Sequence, residues 1–211
     1  MRILISGGCR QTLVNIRRKY PYLCRYMGWI NSPRHSYSDK SIKRIGISSM
    51  CLDNAAFSNW CEESYLKMLD KWADAIIPIE WVTLPDVVGD AHKTNQLFGE
   101  WYEKVSLPRA YVAQDGAEDL ELPFAYFKCL FIGGTTDWKL SRSAESVIQE
   151  GKRQNKVIHM GRVNSQKRMR YAYQLGCDSV DGTGYSKYNK IELLKFLEYV
   201  HTLHNQIFLE F

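Results

Sequence analysis

The chain has 211 residues, 45% of them hydrophobic and 24% charged, enough for one domain with a substantial core. Its longest apolar runs, such as Ala75 to Ile79 and Cys129 to Ile132, fall far short of the roughly 20 residues that cross a bilayer, so no membrane partner is expected. The opening Met1-Arg2-Ile3-Leu4-Ile5-Ser6 is too brief for a secretion signal, and a cytoplasmic location is expected.

The net charge of +5 is unevenly placed. Residues 1–52 carry a net +9, residues 53–150 a net −9 and residues 151–211 a net +5. If the first and last strands are neighbours, the two basic regions lie side by side and form a face suited to a phosphate backbone. The six cysteines, Cys9, Cys24, Cys51, Cys61, Cys129 and Cys177, form no C-x-x-C pair, so they read as buried or incidental thiols and no metal is expected.

In chain order, β-rich runs occur at Arg2–Ser6, Met27–Asn31, Gly46–Leu52, Ala75–Val82, Arg109–Ala113, Cys129–Ile132, Lys156–Met160 and Asp178–Val180. Helical periodicity falls between them at Cys61–Trp72, Ala91–Lys104, Ser143–Gln154, Ser165–Leu175 and Ile191–Leu203. Asp90 is placed to cap the second of these helices and Asn164 or Ser165 the fourth, which Gly176 ends. The basic stretches Gln11–Tyr26 and Pro33–Arg44 have only weak periodicity. Eight strands alternating with helices predict an α/β fold, a single TIM-like (βα)8 barrel over residues 1–211, with a doubly wound open sheet as the alternative.

Polar signatures follow the strands: Asp53-Asn54-Ala55-Ala56-Phe57, Pro85-Asp86-Val87-Val88-Gly89-Asp90, Gln114-Asp115-Gly116, Gly133-Gly134-Thr135-Thr136, Gly161-Arg162-Val163-Asn164 and Asp181-Gly182-Thr183-Gly184. In a (βα)8 barrel those strand ends converge on one face. Asp53 and Asp181 then face each other across the mouth, where two carboxylates can divide nucleophilic attack and proton transfer at a glycosidic carbon. Gln114 offers donors and acceptors to a base edge, and Gly133-Gly134 would let a flat ligand approach backbone N–H groups. Arg162, Asn164, Lys167 and Arg168 open a basic helix suited to phosphate. His92 and His159 with Asp86 and Asp90 are the only candidate metal set, without ligand spacing.

This ordered set, over roughly residues 46–184, resembles the tRNA-guanine transglycosylase superfamily and is most similar to its short, phage-associated DpdA-type members, which insert 7-deazaguanines into DNA. The resemblance implies base exchange at C1′ by double displacement, without cofactor. Asp181 would be the nucleophile, Asp53 the proton carrier, and Asn54, Asp86, Gln114, Gly133 and Gly134 the base-recognition set. It implies DNA as partner before tRNA, a free 7-deazaguanine such as 7-cyano-7-deazaguanine as co-substrate, a homodimer as barrel enzymes of this kind commonly form, and the host cytoplasm as location if a phage encodes it. After Asp181 there is no cysteine and only His201 and His204, so the zinc-binding subdomain of the tRNA enzymes is not expected. Other readings use the same residues: a tRNA-directed relative, a nucleoside or glycoside hydrolase with water as acceptor, or a non-catalytic nucleic-acid-binding barrel. The basic N-terminal residues Arg10, Arg17, Arg18, Lys19 and Arg25 would then contact the substrate backbone.

Overall fold

The computed structural model describes residues 1–7, 10–34, 37–184 and 190–206. Eight parallel strands close into a barrel in sequence order: β1 (Arg2–Ile5), β2 (Met27–Asn31), β3 (Met50–Leu52), β4 (Ile79–Thr83), β5 (Arg109–Ala113), β6 (Cys129–Ile132), β7 (Val157–Met160) and β8 (Ser179–Asp181). Closure rests on the pairing of β1 with β8, Ile3 opposite Val180 and Leu4 opposite Asp181, which rules out the open sheet. The same pairing brings the first and last strands, which belong to the two basic regions, side by side.

The helices are α1 (Arg10–Lys19), α2 (Asp39–Ile45), α3 (Ala56–Asn59), α4 (Glu62–Ala73), α5 (Ala91–Trp101), α6 (Thr136–Lys139), α7 (Arg142–Arg153), α8 (Gln166–Gln174) and α9 (Lys190–Gln206). In α1 and α2 the apolar stripe is reduced to Leu13 and Ile16, and to Ile42 and Ile45, all buried among basic neighbours. So few apolar positions explain why those segments have weak periodicity. Asp90 accepts the Lys93 N–H at 2.9 Å as the α5 cap. Ser165, not Asn164, caps α8 through the Arg168 N–H at 3.3 Å. Gly176, at φ 76°, ends the turn after α8.

Two strand starts are corrected. The third strand begins at Met50 rather than Gly46, because Gly46 takes φ 84° and caps α2. The fourth begins at Ile79, after Pro78, whose carbonyl accepts the Met50 N–H at 3.0 Å.

Period-two alternation separates two cores. Ile3, Ile5, Leu52, Val82, Tyr111, Leu130, Ile158 and Val180 face the helices. Leu4, Ile30, Cys51, Trp81, Ala110, Val112, Cys129 and Phe131 fill the barrel interior. On β7 the alternation sends Ile158 and Met160 outward and leaves His159 inside, its ring 5.1 Å from Trp81 and 4.6 Å from Phe131. Of the thiols, Cys51, Cys129 and Cys177 are buried, Cys24 is half-buried and Cys61 exposed; Cys9 lies outside the described residues. Among the described residues no helix is long and apolar enough to cross a membrane.

Candidate functional site

Above the interior core the strand ends open into a cavity of about 290 Å³. Asp53, Asn54, Asp86, Gln114, Gly133, Arg162 and Asp181 all line it, so residues from six strand ends meet as the barrel topology requires. Gly134 is turned away: a Cβ there would strike the Trp138 ring at 2.2 Å.

Asp181 ends β8 with its side chain 21% exposed. Its Oδ1 accepts the Arg162 N–H at 2.6 Å, and its Oδ2 lies 3.8 Å from His159 Nε2. His159 is 0% exposed; its Nδ1 bonds Ser179 Oγ at 2.8 Å, and its Nε2 has no hydrogen-bond partner. Burial pushes the Asp181 carboxyl up, but His159, the Arg162 N–H and the Lys139 charge together hold it below the ordinary aspartate value. Asp181 is therefore an ionised carboxylate with one oxygen fixed by a peptide.

Asp53 behaves oppositely. It follows β3, its N–H bound by the Asn31 carbonyl at 2.8 Å and its Oδ2 accepting the Ala55 N–H at 3.2 Å. Burial first, then the Asp181 and Asp86 charges, push it up to about 7, against the Ala55 N–H and the Thr83 hydroxyl. Two carboxyl groups on one cavity, displaced in opposite directions, are a proton donor and an anion at neutral pH.

Beside Asp53, beyond the adjacent strand β4, lies a carboxylate clamped by amides. Asn54 Nδ2 donates to Asp86 Oδ1 at 2.7 Å, and Gln114 Nε2 to Asp86 Oδ2 at 2.6 Å. Burial raises Asp86 to about 6 against those two bonds and the Arg162 charge. Gln114 is less free than a base-reading amide would be, since its Oε1 also accepts the Gly89 N–H at 2.9 Å. Its remaining Nε2 hydrogen and Asp86 itself are what this wall offers a ligand.

The glycine pair needs correcting. The N–H groups of Gly133 and Gly134 both point to the Ala113 carbonyl, at 2.9 and 3.2 Å, and are not free for a ligand. Gly133 is small for another reason: a Cβ would meet Val112 Cγ1 at 2.6 Å and Gln114 Nε2 at 2.8 Å. Gly133→Ala is expected to push Gln114 off Asp86 and to overpack Val112, costing about 1–3 kcal/mol of stability. Calorimetry checks this, and an unchanged melting temperature counts against so tight a fit of Gly133 to Val112 and Gln114.

Arg162 also departs from its expected place. At φ 60° it points its guanidinium inward, donating to the Gly133 carbonyl at 2.6 Å and to the Gly134 carbonyl. Its guanidinium carbon sits 4.0 Å from the centre of the Phe57 ring, a residue 64% exposed. Arg162 thus builds the cavity wall instead of an outer phosphate site. Lys167 is exposed and Arg168 half-buried on the first turn of α8, both outside the cavity lining, while Asn164 Oδ1 accepts the Gly184 N–H at 3.2 Å.

Sequence reasoning missed Lys139, Phe57 as a cavity wall, and the inward aim of His159 beside Asp181. Only the apolar neighbours of His159, in Val157-Ile158-His159-Met160, carried a signal. The four residues of the metal alternative are dispersed: His92 is exposed on α5, Asp90 caps that helix, and His159 is inside the barrel. Among the described residues no three His, Cys, Asp or Glu side chains gather as metal ligands do.

No family model matches the chain, and no curated protein does. Solved structures match in fold. Dihydrodipicolinate synthase from Bacillus clausii is similar at 10% identity and TM-score 0.56, over 97% of this chain and 74% of that one. N-acetylneuraminate lyase from Mycoplasma synoviae is similar at 10% identity and TM-score 0.54, over 98% and 80%. The HpcH/HpaI aldolase from Desulfitobacterium hafniense is similar at 14% identity and TM-score 0.51, over 95% and 91%. At these identities the likeness establishes the chain as a TIM barrel and leaves its chemistry to the site.

Proposed function

We propose that the protein is an enzyme, a guanine transglycosylase that replaces guanine in DNA with a 7-deazaguanine base. The observation that carries this reading is the pair Asp181 and Asp53 on one cavity, the first held ionised and the second held protonated up to about 7. In the first displacement Asp181 attacks C1′ and the C1′–N9 bond breaks. Its electron pair leaves on guanine, which takes the Asp53 proton. In the second, the incoming base returns its N9 proton to Asp53, attacks C1′ and expels Asp181 as a carboxylate. Oδ2 is the attacking oxygen, because the Arg162 N–H occupies Oδ1.

The wall beside Asp53 supports a purine-like ligand. Asp86, held by Asn54 and Gln114, accepts N–H groups of a base edge, and the Phe57–Arg162 stack presents a flat surface. The Lys167 and Arg168 turn of α8 supplies cations for a phosphate backbone. A nucleotide reaching this cavity has to leave its base stack, so a flipped or single-stranded substrate is implied.

Incubation of the protein with DNA and 7-cyano-7-deazaguanine, then digestion to nucleosides and mass spectrometry, tests the reading. A deazaguanine deoxynucleoside is expected. Product with tRNA alone would move the substrate and keep the mechanism; abasic sites without incorporated base would replace exchange by hydrolysis. Absence of both products from folded protein would overturn the reading.

A further inference from the structure

Lys139 is the most unusual charged residue outside the cavity. It ends α6, is only 5% exposed, and donates from Nζ to the Gly161 carbonyl at 2.7 Å. Glu and Asp side chains take no part in that bond. The carbonyl it grips belongs to the Gly161–Arg162 peptide, whose N–H is the group that donates to Asp181 Oδ1 at 2.6 Å. One peptide unit therefore carries an amine on its oxygen and the candidate nucleophile on its nitrogen.

We propose that Lys139 is a positioning residue that orients and polarises the Gly161–Arg162 peptide so that its N–H holds Asp181 Oδ1; its catalytic consequence rests on the transglycosylase reading, but the relay itself does not. A cation on a peptide oxygen draws charge through the amide and strengthens its N–H as a donor, and bonds in series reinforce one another in a low-dielectric site. The bond also fixes orientation. Reversal of this peptide would aim the Gly161 oxygen at a carboxylate, and Lys139 opposes that reversal by holding the oxygen on the other side.

The surrounding bonds make the arrangement reciprocal. Lys139, beyond β6, grips the backbone beyond β7, while Arg162, beyond β7, grips the Gly133 and Gly134 carbonyls beyond β6. The Val163 N–H adds a 2.7 Å bond to the Asp181 carbonyl, so the backbone of the nucleophile is tied to the same loop. Burial first, then Arg162 and Arg168, lower the Lys139 ammonium to about 7 against Asp181 and Asp115, so its charge is fully present only below that pH. The charges facing Asp181 are His159, Lys139, the Arg162 guanidinium and, on the same cavity, Asp53. Lys139 is absent from the cavity lining, so it acts on substrate only through the peptide.

The test uses ¹³C-carboxyl-labelled aspartate and follows Asp181 by NMR titration, its resonance assigned by loss in Asp181→Asn. Lys139→Gln keeps a donor for the carbonyl and removes the charge; Lys139→Met removes both; Lys139→Arg keeps both. The Asp181 midpoint is expected to rise by about one pH unit in Lys139→Met, by less in Lys139→Gln, and to stay low in Lys139→Arg. An unchanged midpoint in folded Lys139→Met overturns the proposal. If the neutral variants fail to fold, the Arg162 amide proton of the unmodified protein is followed instead. A shift in step with the Lys139 ε-carbon titration supports the relay, and its absence overturns it. None of these readouts needs turnover, so a protein inactive in base exchange would sink the transglycosylase reading and leave the relay to be decided separately. If exchange is observed, Lys139→Gln is expected to lower kcat about tenfold with the KM for the base unchanged.

Discussion

Asp181→Asn is expected to abolish the proposed base exchange, lowering it by about 10⁴-fold or more, with the fold intact. An amide has no anionic oxygen to form the glycosyl ester, so the loss falls on the chemical step. The environment accepts the amide. Its oxygen can take the place of Oδ1 on the Arg162 N–H, and its NH₂ then faces His159 Nε2, which has no hydrogen-bond partner. Guanine release and deazaguanine incorporation are both measured, together with the covalent DNA–protein adduct on denaturing gels. Activity within tenfold of the unmodified protein would remove Asp181 from the role of nucleophile.

Asp53→Asn is the second large effect, a loss of about 10³-fold, the range that a positioned proton donor contributes. Its pH signature is specific. In the proposed exchange Asp53 carries a proton when guanine leaves, and burial beside Asp181 and Asp86 holds that proton up to about 7. Guanine release in the unmodified protein is expected to fall as pH rises through about 7, and this limb is absent from the residual activity of Asp53→Asn. Stability falls with rising pH as well. The folded protein keeps the Asp53 proton above the ordinary value of 3.8, where the unfolded chain gives it up. That contribution is full below about 4 and is lost as pH rises through about 7. Asp53→Asn is therefore expected to melt higher than the unmodified protein at pH 8 and nearly level with it at pH 4. Calorimetry at the two pH values checks this, and equal melting temperatures at pH 8 would show that Asp53 bears no such cost.

The barrel was legible because its signals are local. Apolar runs such as Cys129–Ile132 and turn residues such as Gly176 mark strands and stops by themselves, and β2, β5 and β6 have the bounds their residues suggest. So were Asp53, Asp86, Gln114 and Asp181 as members of one cavity, because parallel order brings all strand ends to one face. What escaped were directions. A lysine in Thr136-Asp137-Trp138-Lys139 reads as solvated, and only the fold shows its ammonium group buried on a carbonyl. Arg162 reads as a phosphate ligand until its backbone turns the side chain inward. The bonds to Gly133 and Gly134 depend on contacts between chain segments far apart in sequence, which no local pattern records.

The backbone at Arg162 carries a conflict of its own. Its φ of 60° is a conformation suited to glycine and costs other residues about 1–2 kcal/mol. Yet the position uses its whole side chain, as a clasp on two carbonyls and a support beneath Phe57. Optimising this chain for backbone comfort alone would select glycine there and erase the wall. The two charge-assisted bonds, at about 1.5–3 kcal/mol each, outweigh that strain, so the side chain itself holds its backbone in a conformation that the residue would otherwise leave.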